Sequence, residues 1–244
     1  MDIAKPRNAT GKLPVIVSIH GGGYVYGTKE VYQFYAADLA QNGFAVINFN
    51  YRLAPKHPFP AQLEDINSVL CWLAGYGEAY GFDLSNVFVV GDSAGAQLAS
   101  HYVTIWSNPE FAKLFSFQTP KQICIRAVAL NCGMYTIQPG KQLFRDYLGS
   151  RVFPDDPKLN VHAHINAAFP PAFIMTSFYD FLCAEAKPMY EFLQNAGVLA
   201  VYRLYGQEGQ KHMGHVFHCN LNLEEAKQCN KDECDFFKSQ IVAE

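Results

Sequence analysis

Short apolar runs along this chain alternate with longer stretches in which apolar positions recur every three or four residues. Residues 15–19, 44–48, 87–90, 127–130, 172–176 and 200–204 are brief and rich in β-branched and aromatic side chains, and they read as strands. Between and after them, residues 32–41, 62–73, 94–106, 184–194 and 223–241 carry helical spacing. Strand and helix in alternation predict an α/β fold, a mostly parallel sheet flanked by helices on both faces. The alternation breaks over residues 133–171, where Pro139, Gly140, Pro154, Pro157 and the pair Pro170-Pro171 leave room for one helix near 141–148. A long irregular insertion of this kind is expected to act as a lid or a substrate wall.

With 244 residues and 50% hydrophobic content, the chain can bury one substantial core, so a single domain over 1–244 is expected. The net charge is −3, and Lys and Arg are scattered singly. No basic stripe offers phosphate contacts, which argues against nucleic acid and against an anionic membrane surface as partners. Residues 1–10 are charged and lack an apolar run, so they do not read as a signal peptide, and no stretch is long enough to span a bilayer. The seven cysteines are spread out or lie in apolar segments, as reduced thiols of a cytoplasmic protein would. Cys219, Cys229 and Cys234 lie near His212, His215 and His218, but no tight Cys-x-x-Cys pair accompanies them, so no metal site is assigned.

Gly91-Asp92-Ser93-Ala94-Gly95 follows an apolar strand and precedes a helical pattern. This is a Gly-x-Ser-x-Gly elbow in its required setting, with Ser93 as candidate nucleophile. The serine of such an elbow sits in a strained turn, and side chains two positions away on either side would collide with backbone. His20-Gly21-Gly22-Gly23-Tyr24 comes directly after the first strand. Three glycines there let backbone N–H groups turn toward a reacting oxygen, so the N–H groups of Gly22, Gly23 and Ala94 are the candidate oxyanion hole. A phosphate-binding loop is the rival, yet neither Gly-Lys-Ser/Thr nor Gly-x-Gly-x-x-Gly is present. His20 is expected to hold the loop by hydrogen bonding. Tyr24 and Tyr26, beside the glycines, are the candidate substrate-binding residues.

Together with Tyr51-Arg52-Leu53-Ala54-Pro55 and His57-Pro58-Phe59-Pro60-Ala61, these segments resemble the hormone-sensitive-lipase-like esterases of the α/β-hydrolase superfamily. The resemblance runs from about residue 13 to 217. It implies an eight-stranded sheet, a triad in chain order Ser, Asp, His, and hydrolysis of carboxylic esters without a cofactor. The fold places the acid after a late strand, which points to Asp180, whose surroundings look like the family's Asp-x-Leu segment; Asp155, Asp156 and Glu185 are its rivals. Gly214-His215-Val216-Phe217 is similar to the family's His-Gly-Phe segment, with valine in place of glycine, so His215 is the candidate base. His212 and His218 are then expected to face solvent or cap a helix.

Only nineteen residues precede His20, whereas the family has a cap and two leading strands there. Either those strands are missing or the chain is truncated, and the sheet edge so exposed leaves room for a homodimer. The expected substrate is a small-molecule ester with a short, acetyl-like acyl group, since nothing resembles a broad apolar lid. Two other readings remain: a ligand-binding pseudo-hydrolase, as in family members that lack the catalytic histidine, and an amide or formamide hydrolase using the same triad.

Overall fold

Burial gathers the apolar runs into one sheet in the computed structural model, which describes residues 1–137, 140–150 and 155–243. The strands are β1 (Asp2–Ala4), β2 (Leu13–Ile19), β3 (Ala45–Asn48), β4 (Phe82–Asp92), β5 (Ile125–Asn131), β6 (Ala172–Ser177) and β7 (Ala200–Tyr205). Their order across the sheet is β1-β3-β2-β4-β5-β6-β7; β1 runs antiparallel to β3 and every other neighbouring pair is parallel. The helices are α1 (Gln33–Gln41), α2 (Ala61–Tyr76), α3 (Ala94–Ser107), α4 (Pro109–Ala112), α5 (Gln142–Leu148), α6 (Cys183–Asn195) and α7 (Glu224–Ser239).

The central strands are apolar on both faces because each face is covered. Val15, Val17, Ile19, Val87, Val89, Val128, Leu130 and Ile174 pack on one side with Leu63, Ile66 and Leu70 of α2, Leu98 and Tyr102 of α3, and Met189 and Leu193 of α6. Their in-between neighbours Ile16, Phe88, Val90, Ala127, Ala129, Phe173 and Met175 pack on the other with Tyr35, Ala36 and Leu39 of α1 and Ala226, Cys229 and Phe237 of α7. The period-2 alternation is therefore between two cores rather than between core and water. Each fully buried aliphatic side chain contributes about 1.5–3 kcal/mol.

Two expectations are corrected. Residues 2–4, in the stretch where leading strands were expected to be missing or truncated and the sheet edge exposed, form a strand: Asp2, Ile3 and Ala4 pair with Asn48, Ile47 and Val46. The outer edge of β3 is thus covered by the chain's own N-terminus, and Lys29 anchors Asp2 by a 2.6 Å ion pair. The sheet also has seven strands among the described residues, not the eight that the resemblance implied.

Because β2, β4, β5 and β6 run parallel, their C-terminal ends share one edge, where ligands of open α/β sheets bind. The segments after these strands, and the loop after β7, carry the candidate chemistry. The region expected as a lid holds α5 and short 3-10 turns at Pro157–Leu159 and Val161–His164; residues 138–139 and 151–154 of it lie outside the described residues. No helix among the described residues is long and apolar enough to cross a membrane.

Candidate active site

Ser93 joins β4 to α3 at φ 55 and ψ −120, a region that a non-glycine residue occupies at a cost of about 1–3 kcal/mol. Its flanking glycines are required by close approach. A Cβ on Gly91 would lie 2.2 Å from the carbonyl oxygen of Gly95, and one on Gly95 would lie 2.1 Å from that of Ile19. The first turn of α3 is thereby seated directly on the end of β2. The Ser93 N–H donates to the carbonyl of Asn131, the last residue of β5, at 2.9 Å.

Ser93 Oγ is 2.9 Å from His215 Nε2, and His215 Nδ1 is 2.7 Å from Asp180 Oδ1. A carboxylate can only accept, so the ring proton resides on Nδ1 and the Nε2 lone pair faces the serine hydroxyl. Asp180 is buried, and its carboxylate accepts further bonds from the Leu182 N–H at 2.9 Å and from Thr176 Oγ at 2.8 Å. Burial by itself would raise its pKa. The bonds from His215, Leu182 and Thr176, with the charge of His215, outweigh burial and hold it below the usual carboxylate range. Ser177 ties down the histidine loop by donating to the carbonyls of Met213 and Gly214, at 2.6 and 3.1 Å. Val216 has φ 52, so valine keeps the left-handed conformation that glycine would adopt freely at that point of the family pattern. The ring of Phe181 lies 4.2 Å from that of His215 and is 76% exposed.

The glycine loop is built from the other side. The ring of His20 stacks on Tyr51 at 4.1 Å, and its Nδ1–H donates to the Gly21 carbonyl at 2.7 Å, the structural role expected of it. Burial lowers its pKa against the effect of that bond, favouring the neutral ring. Gly22 adopts φ 115, and a Cβ there would lie 2.1 Å from the Tyr26 carbonyl oxygen. The Gly21 N–H donates to Tyr32 Oη at 3.1 Å, and that hydroxyl donates to Asp92 Oδ2 at 2.6 Å. Burial pushes the Asp92 carboxyl up to about 7, against the bond from Tyr32 and the charge of His215. Among the described residues, no acceptor takes the N–H groups of Gly22, Gly23 or Ala94.

Several sequence candidates fall elsewhere. Tyr24 was expected to line the substrate site, but φ 67 turns it inward. It is fully buried, stacked on Tyr147 at 3.7 Å, with its hydroxyl donating to Gln97. Tyr26 remains 68% exposed. His212 is exposed beside Glu225, as expected. His218 instead is fully buried edge-on to Tyr35, because the 3-10 turn at Phe217–Cys219 points it under the sheet's end; burial lowers its pKa to about 3. Asp156 caps the turn at Pro157–Leu159, Asp155 is exposed, and Glu185 accepts from Thr136. Among the described residues, the one group of possible ligands drawn tightly together is Cys132, Asp180 and His215, within 4.8 Å, and not the cysteine and histidine segment near the C-terminus. Tyr32, Asn131 and Cys132 were not singled out from the sequence. Each is remote along the chain from what it touches, and a polar residue at a strand end was the sole hint for Asn131.

The sequence profile of the α/β hydrolase fold family matches residues 16–219. The amyloplastic tuliposide A-converting enzyme b3 of Tulipa gesneriana is 27% identical over 223 residues, covering 85% of this chain and 58% of that protein. The esterase LipI of Mycobacterium tuberculosis is 40% identical over 88 residues, 36% of this chain and 28% of that one. Esterase B from Lactobacillus rhamnosis, solved with a C4-C4 SN3 tributyrin phosphonate, superposes with a TM-score of 0.85 at 28% identity, over 97% of this chain and 78% of that one. An esterase of Pyrobaculum calidifontis gives a TM-score of 0.78 at 26% identity, over 99% and 80%. The chain thus spans less than two thirds of the length of the tulip relatives. With the profile matching most of its length, the chain belongs to the α/β-hydrolase fold family.

Proposed function

We propose that the chain is a serine carboxylic-ester hydrolase that cleaves short-chain esters through an acyl-enzyme. The observation that carries this reading is the line from Asp180 through His215 to Ser93, with contacts of 2.7 and 2.9 Å, beside a glycine loop in which the N–H groups of Gly22 and Gly23 have no acceptor among the described residues. His215 Nε2 takes the Ser93 proton as Oγ attacks the ester carbonyl, and Asp180 stabilises the imidazolium that forms. The oxyanion is held by the N–H groups of Gly22, Gly23 and Ala94, each such donor being worth about 3 kcal/mol. His215 then protonates the leaving alcohol. Water, deprotonated by the same nitrogen, attacks the acyl-enzyme, and His215 returns that proton to Ser93 Oγ as the acid is released.

The short acyl preference is supported by the C4-C4 phosphonate of the Lactobacillus esterase structure, while Phe181, beside the ring of His215, and Tyr26, next to the glycine loop, are both largely exposed. The test is hydrolysis of p-nitrophenyl acetate, butyrate, octanoate and palmitate by wild type and by Ser93→Ala. Activity is expected on the acetate and butyrate, falling with chain length, and the substitution should lower turnover by about a millionfold. A folded wild type inert on all four esters, or unaffected by Ser93→Ala, would refute the reading. Preference for palmitate would refute the short-chain part alone.

A further inference from the structure

Glu233 is 1% exposed, lies on α7, and has no role in the chemistry above. A buried carboxyl is expensive unless something pairs with it. No cation faces this one among the described residues; two neutral donors do. Tyr35 Oη of α1 donates to one carboxyl oxygen at 2.9 Å, and Asn131 Nδ2 donates to the other. The second hydrogen of the Asn131 amide reaches Tyr35 Oη at 3.3 Å, closing a triangle. Asn131 is also the residue whose main-chain carbonyl accepts the Ser93 N–H. On the other side, His218 packs edge-on against Tyr35 at 5.0 Å, and its carbonyl accepts from Asn230 of α7, three residues before Glu233. One buried acid thus connects the strand end under the nucleophile with the segment that follows His215.

We propose that Glu233 is a positioning residue that fixes Asn131, and through its carbonyl the strained peptide of Ser93, in the reactive arrangement. Ser93 stands at φ 55, so its peptide keeps this orientation only while its partners are held. The Asn131 carbonyl is such a partner: its backbone is paired in the sheet with Asp92 and Met175 at the very end of β5, and the donor bonds of its side-chain amide, both ending within the triangle, add the hold beyond the strand end.

The inference rests on the proposed esterase reading for its kinetic readout but not for its structural one, and Glu233→Leu tests both. Leucine fills a similar volume but leaves Tyr35 Oη and Asn131 Nδ2 without their acceptor, so stability is expected to fall, and the kinetic and exchange readouts are taken on the folded variant. The variant is expected to keep KM within about twofold while kcat falls about tenfold, short of the hundredfold that a full 1 Å misplacement costs. Amide hydrogen exchange of the peptide over residues 91–97 should quicken while that of α2 stays as in wild type. Glu233→Gln should restore both, since its amide can donate to Tyr35 Oη while its oxygen accepts from Asn131. Wild-type kcat and unchanged exchange at 91–97 in folded Glu233→Leu overturn the proposal. So does a loss that Glu233→Gln fails to restore. If Glu233→Leu does not fold, Asn131→Ala decides by the same two readouts, because it keeps the carbonyl to Ser93 and removes the link to Glu233. If wild type hydrolyses no ester, the esterase reading fails while the exchange comparison still decides this one.

Discussion

Gly95→Ala is the sharpest test of how the elbow and the glycine loop depend on each other. The added Cβ would stand 2.1 Å from the Ile19 carbonyl oxygen, 2.7 Å from the His20 oxygen and 2.9 Å from the His20 carbonyl carbon. All three are backbone atoms at the end of β2, so no side chain can rotate away. Ordinary contact needs about 3.5 Å, so α3 and β2 must separate by about 1.4 Å at this point. That displacement falls between Ser93 and the loop carrying Gly22 and Gly23, and a misplacement of about 1 Å at a reacting centre costs roughly a hundredfold. We therefore expect kcat/KM for p-nitrophenyl acetate to fall by at least about a hundredfold, roughly 2.7 kcal/mol of transition-state stabilisation. Overpacking should also lower stability by about 1–3 kcal/mol, read as a urea midpoint shift. Gly75→Ala is the control. Gly75 is exposed in α2, and a Cβ there meets nothing within 4 Å. That variant should keep wild-type activity and gain about 0.4–1 kcal/mol. A folded Gly95→Ala within threefold of wild type would refute the geometric reasoning.

Two further outcomes follow from the buried carboxyls. Tyr32→Phe removes the hydroxyl between the Gly21 N–H and Asp92, leaving both without that partner; a loss of about 1–3 kcal/mol in urea unfolding is expected, and an unchanged midpoint would count against the link. Burial pushes Glu233 from 4.5 up to about 7, opposed by the bonds from Asn131 and Tyr35 and aided by the charge of Asp92. The folded chain therefore keeps this proton to higher pH than the unfolded chain. Its contribution is fully present below about 4.5 and is lost as pH rises to about 7. Glu233→Gln lacks that titration, so its stability relative to wild type should rise between pH 5 and 7 and level off above; a difference independent of pH would show that the carboxyl is not perturbed.

Much of this architecture is local in origin and so could be read along the chain. The six apolar runs became β2 to β7; β3 and β6 and most of β2, β4 and β5 are buried on both faces, while β7 at the sheet's edge is half-buried, and α1, α2, α3, α6 and α7 followed from helical spacing. The Gly-x-Ser-x-Gly turn was legible as a motif, and the collision that requires Gly91 is local, with the Gly95 carbonyl, whereas the one that requires Gly95 is with Ile19 and His20 at the end of β2. Strand order places an acid and a base after late strands, the resemblance picked Asp180 and His215 among the rivals there, and the structure sets their contacts at 2.7 Å with each other and 2.9 Å to Ser93.

What depends on contacts distant in sequence was decided by the tertiary structure alone. Residues 2–4 have no strand signal of their own, and they become β1 because β3 offers them an open edge. Tyr24 reads as a rim residue, yet a left-handed backbone turns its ring onto Tyr147 of α5. His212 and His218 look alike in sequence, yet one is exposed beside Glu225 while the other, in the 3-10 turn at Phe217–Cys219, is buried against Tyr35 of α1 with its carbonyl accepting from Asn230 of α7. Glu233 reads as one more acid of a polar helix, and it becomes part of the floor under Ser93 only when α7, α1 and β5 meet. Patterning selects which face of each element is buried; which atoms then meet inside is settled by packing between elements, and the sequence carries no local record of that.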